Sequence, residues 1–129
     1  MKEVYLLSKC FLQNPGGEFL VLKRSGKAPI RPSEWDIPGG MLEPEENPNV
    51  AVLREIKEET NIILKNAKVF YISTENTAAY ILTFFYSARI TDSSITISDE
   101  HSNIKWVSTD EFRKLKLPEK FMTAISLIE

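Results

Sequence analysis

The sequence predicts an α/β fold in which a mixed β-sheet is covered by helices on both faces. Two observations lead there: strand-like runs outnumber helical ones, and one long amphipathic helix interrupts them in mid-chain. A third is composition. With 43% of 129 residues hydrophobic and 26% charged, the chain suits a single domain, residues 1–129, with its own core.

The elements follow in order. Residues 4–13 and 18–23 are apolar, strand-like runs, and Asn14, Pro15, Gly16 and Gly17 between them signal a hairpin, so two antiparallel strands should open the fold. Residues 25–34 form a polar connection with two prolines and several basic side chains, and residues 35–38 a short extended piece before Gly39 and Gly40. Asn47 and Pro48 start a helix: the Asn side chain can cap it, and Pro fits the first helical position, where its missing donor would be unpaired anyway. Asn61 is expected to end that helix in the left-handed conformation, which glycine takes most easily and asparagine next. Residues 68–73 and 79–90 read as strands, the second apolar on both faces as an interior strand should be. Residues 104–107 give a further short strand. Ser108 with Glu111 reads as a capping box opening a short helix, and Phe121, Ile125 and Ile128 give residues 118–128 a helical spacing.

Charge and cysteine usage narrow the function classes. A net charge of −2 leaves no broad basic surface, so no nucleic-acid polymer is expected as a partner. Cys10, alone in an apolar run, cannot form an internal disulfide and reads as a small buried residue. The first residues lack the apolar stretch and cleavage site of a signal peptide, and no run reaches transmembrane length, so no membrane partner is expected and the location is read as cytoplasmic.

The mid-chain helix carries the chemistry. At about 100° per residue, Glu55, Glu58 and Glu59 fall on one stripe, while Val52, Leu53, Ile56 and Ile63 fall on another. Ala51 lies along the acidic stripe and leaves space there. Such a stripe can hold a hard divalent cation, because Mg2+ prefers carboxylate and water oxygens. Surface helices rich in Glu, Lys and Arg are common, so this stretch alone carries little weight. Like charges at this spacing nevertheless cost about 0.2 to 0.5 kcal/mol per pair, and Arg54 relieves only part of that. The glycine pair just upstream adds weight of its own, since glycine lets backbone approach a ligand closely.

From Gly39 to Ile62 the chain reads GGMLEPEENPNVAVLREIKEETNI: Gly40, five residues, Glu46, seven residues, then Arg54, Glu55, Ile56, Lys57, Glu58, Glu59, Thr60, Asn61 and Ile62. This closely resembles the box of the Nudix hydrolases, departing from it at Asn61, where the family has glycine. The lead-in of Trp35, Asp36, Ile37 and Pro38 is similar too, as are the later Asp99, Glu100 and His101 followed by Trp106 and Val107. The resemblance implies a Nudix-type α/β/α sandwich with a catalytic loop-helix-loop. It implies Glu55 and Glu59 as Mg2+ ligands, with Mn2+ able to stand in, Glu58 as a third ligand or part of the base system, and the Gly39 carbonyl as an additional ligand. Glu100 would be a further acid facing the metal. Glu46 and Arg54 would form an ion pair that positions the catalytic helix, and Gly39 and Gly40 would border the substrate. The general base stays open among Glu58, Glu59 and Glu100.

Lys23, Arg24, Lys27 and Arg31 form a basic cluster ahead of the box, suited to an anionic substrate. Arg24 is expected to contact the nucleotide, as similar small Nudix enzymes place an arginine there; for Lys27 and Arg31 a solvated loop is an equal reading. Trp35 reads as a packing residue and His101 as a surface or loop residue. The implied activity is Mg2+-dependent cleavage of the pyrophosphate link in a nucleoside diphosphate joined to another group. The short chain resembles compact MutT-like members, which points to a nucleoside triphosphate, modified or not, giving the monophosphate and pyrophosphate. The alternatives are an ADP-sugar or dinucleoside polyphosphate hydrolase, or a nucleotide-sensing Nudix domain without catalysis. Residues 117–121 lack the asparagine of an oxidised-guanine reader. The expected partner is a small nucleotide, and the protein a monomer or homodimer.

Overall fold

In the computed structural model of the chain, which describes residues 2–91 and 101–128, strand β1 (Val4–Gln13) runs through the middle of a seven-stranded mixed sheet. It turns back into β2 (Phe19–Arg24) through residues 14–17, where Gly17 takes φ +82°. On its other edge all ten residues of β1 pair in parallel with β6 (Tyr80–Arg89). β5 (Lys68–Asn76) then pairs antiparallel with β6, which makes β6 the interior strand that its apolar character predicts. β3 (Trp35–Asp36) and β7 (His101–Val107) lie antiparallel to β2, and β4 (Gly39–Met41) lies antiparallel to β1.

Alternation along β1 divides the core in two. Cys10 points to one face, where it meets Val52 and Ile56 of helix α1 (Pro48–Thr60) and Tyr86 of β6. Phe11 points to the other face, where it packs with Phe19, Phe85, Phe112, Phe121, Ala124 and Ile125, bringing in α2 (Thr109–Arg113) and α3 (Glu119–Ser126). Its ring centroid lies 5.9 Å from Phe19, 6.0 Å from Phe85 and 5.5 Å from Phe112, the spacing of favourable aromatic pairs. Helices therefore cover both faces, as expected. Among the described residues no helix is long and apolar enough to cross a membrane.

The caps of α1 follow the local chemistry. The Asn47 side chain accepts from the Asn49 amide, and Asn61 closes the helix at φ 64°, ψ 15°, its amide donating to the Lys57 carbonyl. Ser108 and Glu111 form the capping box of α2. Several details differ from the expectations, among them β7, which begins at His101 rather than residue 104. Ile63 lies beyond the helix end and is 79% exposed, so the apolar stripe of α1 rests on Val52 and Ile56. Residues 39–41 form a strand that was not expected, because their backbone pairs with residues 7–9 of β1. β5 runs three residues further than its apolar pattern, since pairing with β6 continues to the tight turn at residues 77–79.

Asn61→Ala should lower the stability by about 1 kcal/mol, the cost of left-handed backbone for a residue with a plain Cβ, while Asn61→Gly should match or exceed the wild type. Urea unfolding of the three proteins checks this.

Candidate active site

Gly39 has φ +139°, and a Cβ there would sit 2.1 Å from the Ser8 carbonyl oxygen and 2.7 Å from Lys9 Cα. No other residue fits. The close approach seats β4 against β1 and directs the Gly39 amide at Glu59, whose Oε1 accepts at 2.8 Å. A Cβ on Gly40 would come within 2.8 Å of Glu55 Oε1. The glycine pair is thus the wall against which two carboxylates of α1 rest, with the fully buried Ala51 one turn ahead of Glu55.

Helical spacing alone does not give the three acids equal surroundings. Glu59 is 5% exposed, and burial pushes its carboxyl up to about 8, against the downward pull of the Lys9 ammonium and the Gly39 amide. Glu55 is largely enclosed and its carboxyl is also raised, first by burial, with Arg54 opposing. Glu58 instead faces solvent, its side chain 56% exposed.

Arg54 answers this charge. Its Nε and Nη2 grip Glu46 at 2.7 and 2.9 Å, a bidentate pair, while Nη1 donates to Glu55 at 3.0 Å and to Glu58 at 3.3 Å. The Arg54 hydrogen bonds, with one from the Glu43 amide, hold Glu46 down at about 2. Glu46 thereby ties the loop after β4 to the middle of the helix.

A second ionic cluster lies on the opposite side of Glu59, and its centre was not foreseen. Lys9 of β1 is 6% exposed, and its Nζ donates to Asp36 Oδ2 at 3.0 Å, to the Ile37 carbonyl at 3.3 Å and to the Gly39 carbonyl at 3.4 Å. Asp36 Oδ2 also accepts from Arg31 Nη2 at 2.9 Å and Arg24 Nη1 at 3.4 Å. Burial pushes Asp36 up, but Lys9 and Arg31 outweigh it and hold the carboxyl below its ordinary value. One signal was available in the sequence: Lys9 shares the parity of Phe11, and a lysine on a core-facing strand position needs a carboxylate such as Asp36.

The remaining residues fall as follows. Arg24 donates from Nε to the Ile30 carbonyl at 2.8 Å, closing the basic loop on itself. Arg31 is on Asp36 rather than in solvent, and its guanidinium lies 5.9 Å from the Phe121 ring centre, whereas Lys27 is exposed. Trp35 packs against the aromatic cluster, with the Lys23 and Lys105 ammonium groups 5.9 and 5.2 Å from its ring. His101 is not a surface residue: it is buried in β7, and its Nε2 lies 3.7 Å from Glu59 Oε2. A register shift between Lys23 and Arg24 sets it opposite Arg24 in the sheet. Asp99 and Glu100 lie outside the described residues.

Glu55 and Glu59, set against the glycine pair, are hard oxygen donors of the kind Mg2+ takes, and the Gly39 carbonyl belongs to the residue whose amide meets Glu59. Burial disfavours the ionised form of both carboxyls, so a cation binding there would replace a proton and offset the charge. Among the described residues no three His, Cys, Asp or Glu side chains form a ready cage, so water and substrate oxygens would complete the coordination.

A family model described as NUDIX domain matches residues 8–125. Over 122 residues the chain is 24% identical to the nucleoside triphosphatase NudI of Enterobacter sp. (strain 638), a match covering 85% of this chain and 86% of that protein. The crystal structure of the MutT protein from Methanosarcina mazei Go1 aligns with a TM-score of 0.84 at 26% identity, over 93% of this chain and 88% of that one. The NUDIX domain of Shewanella oneidensis NrtR, solved with ADP ribose, aligns with a TM-score of 0.82 over 99% and 88%; at 19% identity that is a likeness of fold.

The Glu59 carboxyl has a direct consequence for stability. Its folded value, about 8, lies above its ordinary 4.5, so between them the folded state keeps a proton that the unfolded chain releases. Stability present at low pH is then lost as the pH rises through that window, at up to about 1.4 kcal/mol per unit. Urea unfolding of the metal-stripped protein from about pH 5 to about pH 8.5 should show this fall and Glu59→Gln should lack it; parallel profiles would contradict it.

Proposed function

The chain belongs to the NUDIX domain family, whose members are pyrophosphohydrolases, and on that premise we propose that it is a Mg2+-dependent enzyme cleaving a nucleoside triphosphate to the monophosphate and pyrophosphate. The carrying observation is the pair of buried carboxylates, Glu55 and Glu59, set against Gly39 and Gly40. The similarity to NudI, a nucleoside triphosphatase, supports the choice of substrate. An ADP-sugar is the second reading, favoured by the ADP ribose bound to the similar NrtR domain.

Each residue has a part in this reading. Glu55 and Glu59 would hold the Mg2+, with the Gly39 carbonyl as an additional ligand. When bound, the ion neutralises pyrophosphate oxygens and lowers the pKa of an attacking water. A carboxylate receives that water's proton: Glu58, the helix acid open to solvent, can pass it on to bulk water, while Glu59 and Glu100 are the other candidates. Arg54 and Glu46 position the helix without touching the reacting atoms. Arg24, at the end of β2, meets the nucleotide, with Arg31 adding positive charge for an anionic substrate. The substrate is a free nucleotide, and the enzyme works in the cytoplasm as a monomer or homodimer.

Product release from a panel of nucleoside triphosphates, oxidised nucleotides, dinucleoside polyphosphates and nucleotide sugars tests this. Turnover with Mg2+ should fall about 100- to 1,000-fold or more in Glu59→Gln. Arg54→Ala, which releases the helix from Glu46, should lose about 10- to 100-fold. Undiminished turnover by Glu59→Gln would overturn the assignment of the site, and no turnover of any substrate would leave a nucleotide-sensing domain without catalysis.

A further inference from the structure

The reaction as proposed makes no use of Lys9, although its Nζ donates to the carbonyl of Gly39, a residue of the site. Burying an ammonium costs several kcal/mol unless its protons are matched. Here three protons meet three oxygens, on Asp36, Ile37 and Gly39, and two of these are backbone carbonyls of the turn that carries the glycine pair. The Gly39 carbonyl that accepts from Lys9 belongs to the same residue whose amide donates to Glu59.

The charges around Lys9 are unequal. On one side it shares the single carboxylate of Asp36 with Arg24 and Arg31, so three cations converge on one oxygen atom. On the other side lie Glu59 and Glu55, both of which feel its charge. Asp36, with Glu34 Oε1 3.6 Å from Arg31 Nη1, leaves a positive surplus, and the buried helix acids add negative charge once they ionise. His101 also faces Glu59, and Arg54 faces Glu55 from the solvent side.

Building on the hydrolase reading, we propose that Lys9 is a built-in cation of the metal site: held on the Gly39 carbonyl beside Glu59 and Glu55, it takes up part of their charge and weakens divalent-ion binding by the free protein. A tethered ammonium cannot be washed out, so the two carboxylates stay together without a bound ion. The same charge repels an arriving dication that would use the same carbonyl and carboxylates. Lys9 is a positioning residue, acting on the site through Gly39 and through its field.

Mn2+ titration of the metal-stripped protein, followed by the electron paramagnetic resonance of the free ion, reads this without any turnover. Lys9→Met should bind Mn2+ about five-fold or more tightly than the wild type, because a neutral chain of similar length removes the repulsion. Lys9→Arg, which keeps the charge, should stay near the wild type. Lys9→Gln, whose amide still donates to Asp36 or Gly39, takes the place of Lys9→Met if thermal unfolding shows that variant to be unfolded. Wild-type or weaker affinity in the neutral variants, with binding lost in Glu59→Gln, would overturn the role of Lys9 and leave the metal site standing. Absence of Mn2+ binding in every variant would overturn both.

Discussion

The hydrogen bond from the Gly39 amide to Glu59 holds the rest of the site in place. It joins a strand residue to a helix residue twenty positions later, and it forms only because Gly39 adopts a backbone conformation in which a Cβ would collide with Ser8. Seating β4 on β1 brings the glycine loop under α1, and the helix is fixed from beneath by Val52 and Ile56 packing on Cys10 and Tyr86. Glu59 can therefore be buried without being abandoned: one oxygen accepts from Gly39 and the other lies near His101. Burial in that company raises its proton affinity, so a cation binding there would displace a proton.

Charge is arranged in two ionic clusters with Glu59 between them. On the solvent side Arg54 spans Glu46, Glu55 and Glu58 and so offsets the repulsion along an acidic helix face. On the inner side Asp36 gathers Lys9, Arg24 and Arg31. The solvent-side cluster is rich in carboxylates and the inner one in cations. Under the proposed function, a substrate whose phosphates need a metal at one end and positive side chains at the other would find both across the glycine loop.

Much of this was legible in the sequence for reasons that are local. The hairpin at residues 14–17, the Asn47 and Asn61 caps and the capping box at Ser108 depend on nearest neighbours, and the structure has each of them. The two-sided apolar pattern of residues 79–90 likewise fixed β6 as interior. What sequence could not show depends on tertiary placement. Helical periodicity puts Glu58 and Glu59 on one stripe, yet the loop covers only Glu59. Lys9 is an interruption in an apolar run until β3 brings Asp36 to it, and His101 is an isolated histidine until a register shift in β7 turns it inward. Ile63 satisfies the apolar stripe only if the helix continues, and Asn61 has already ended it.

The two buried carboxylates of α1, backed by the glycine pair, are the proposed seat of the divalent ion. Anomalous scattering from crystals grown with Mn2+ tests it most directly. An anomalous peak bound by Glu55 and Glu59, and absent in Glu59→Gln crystals, is expected. A peak elsewhere on the molecule, or none at saturating Mn2+, would contradict it.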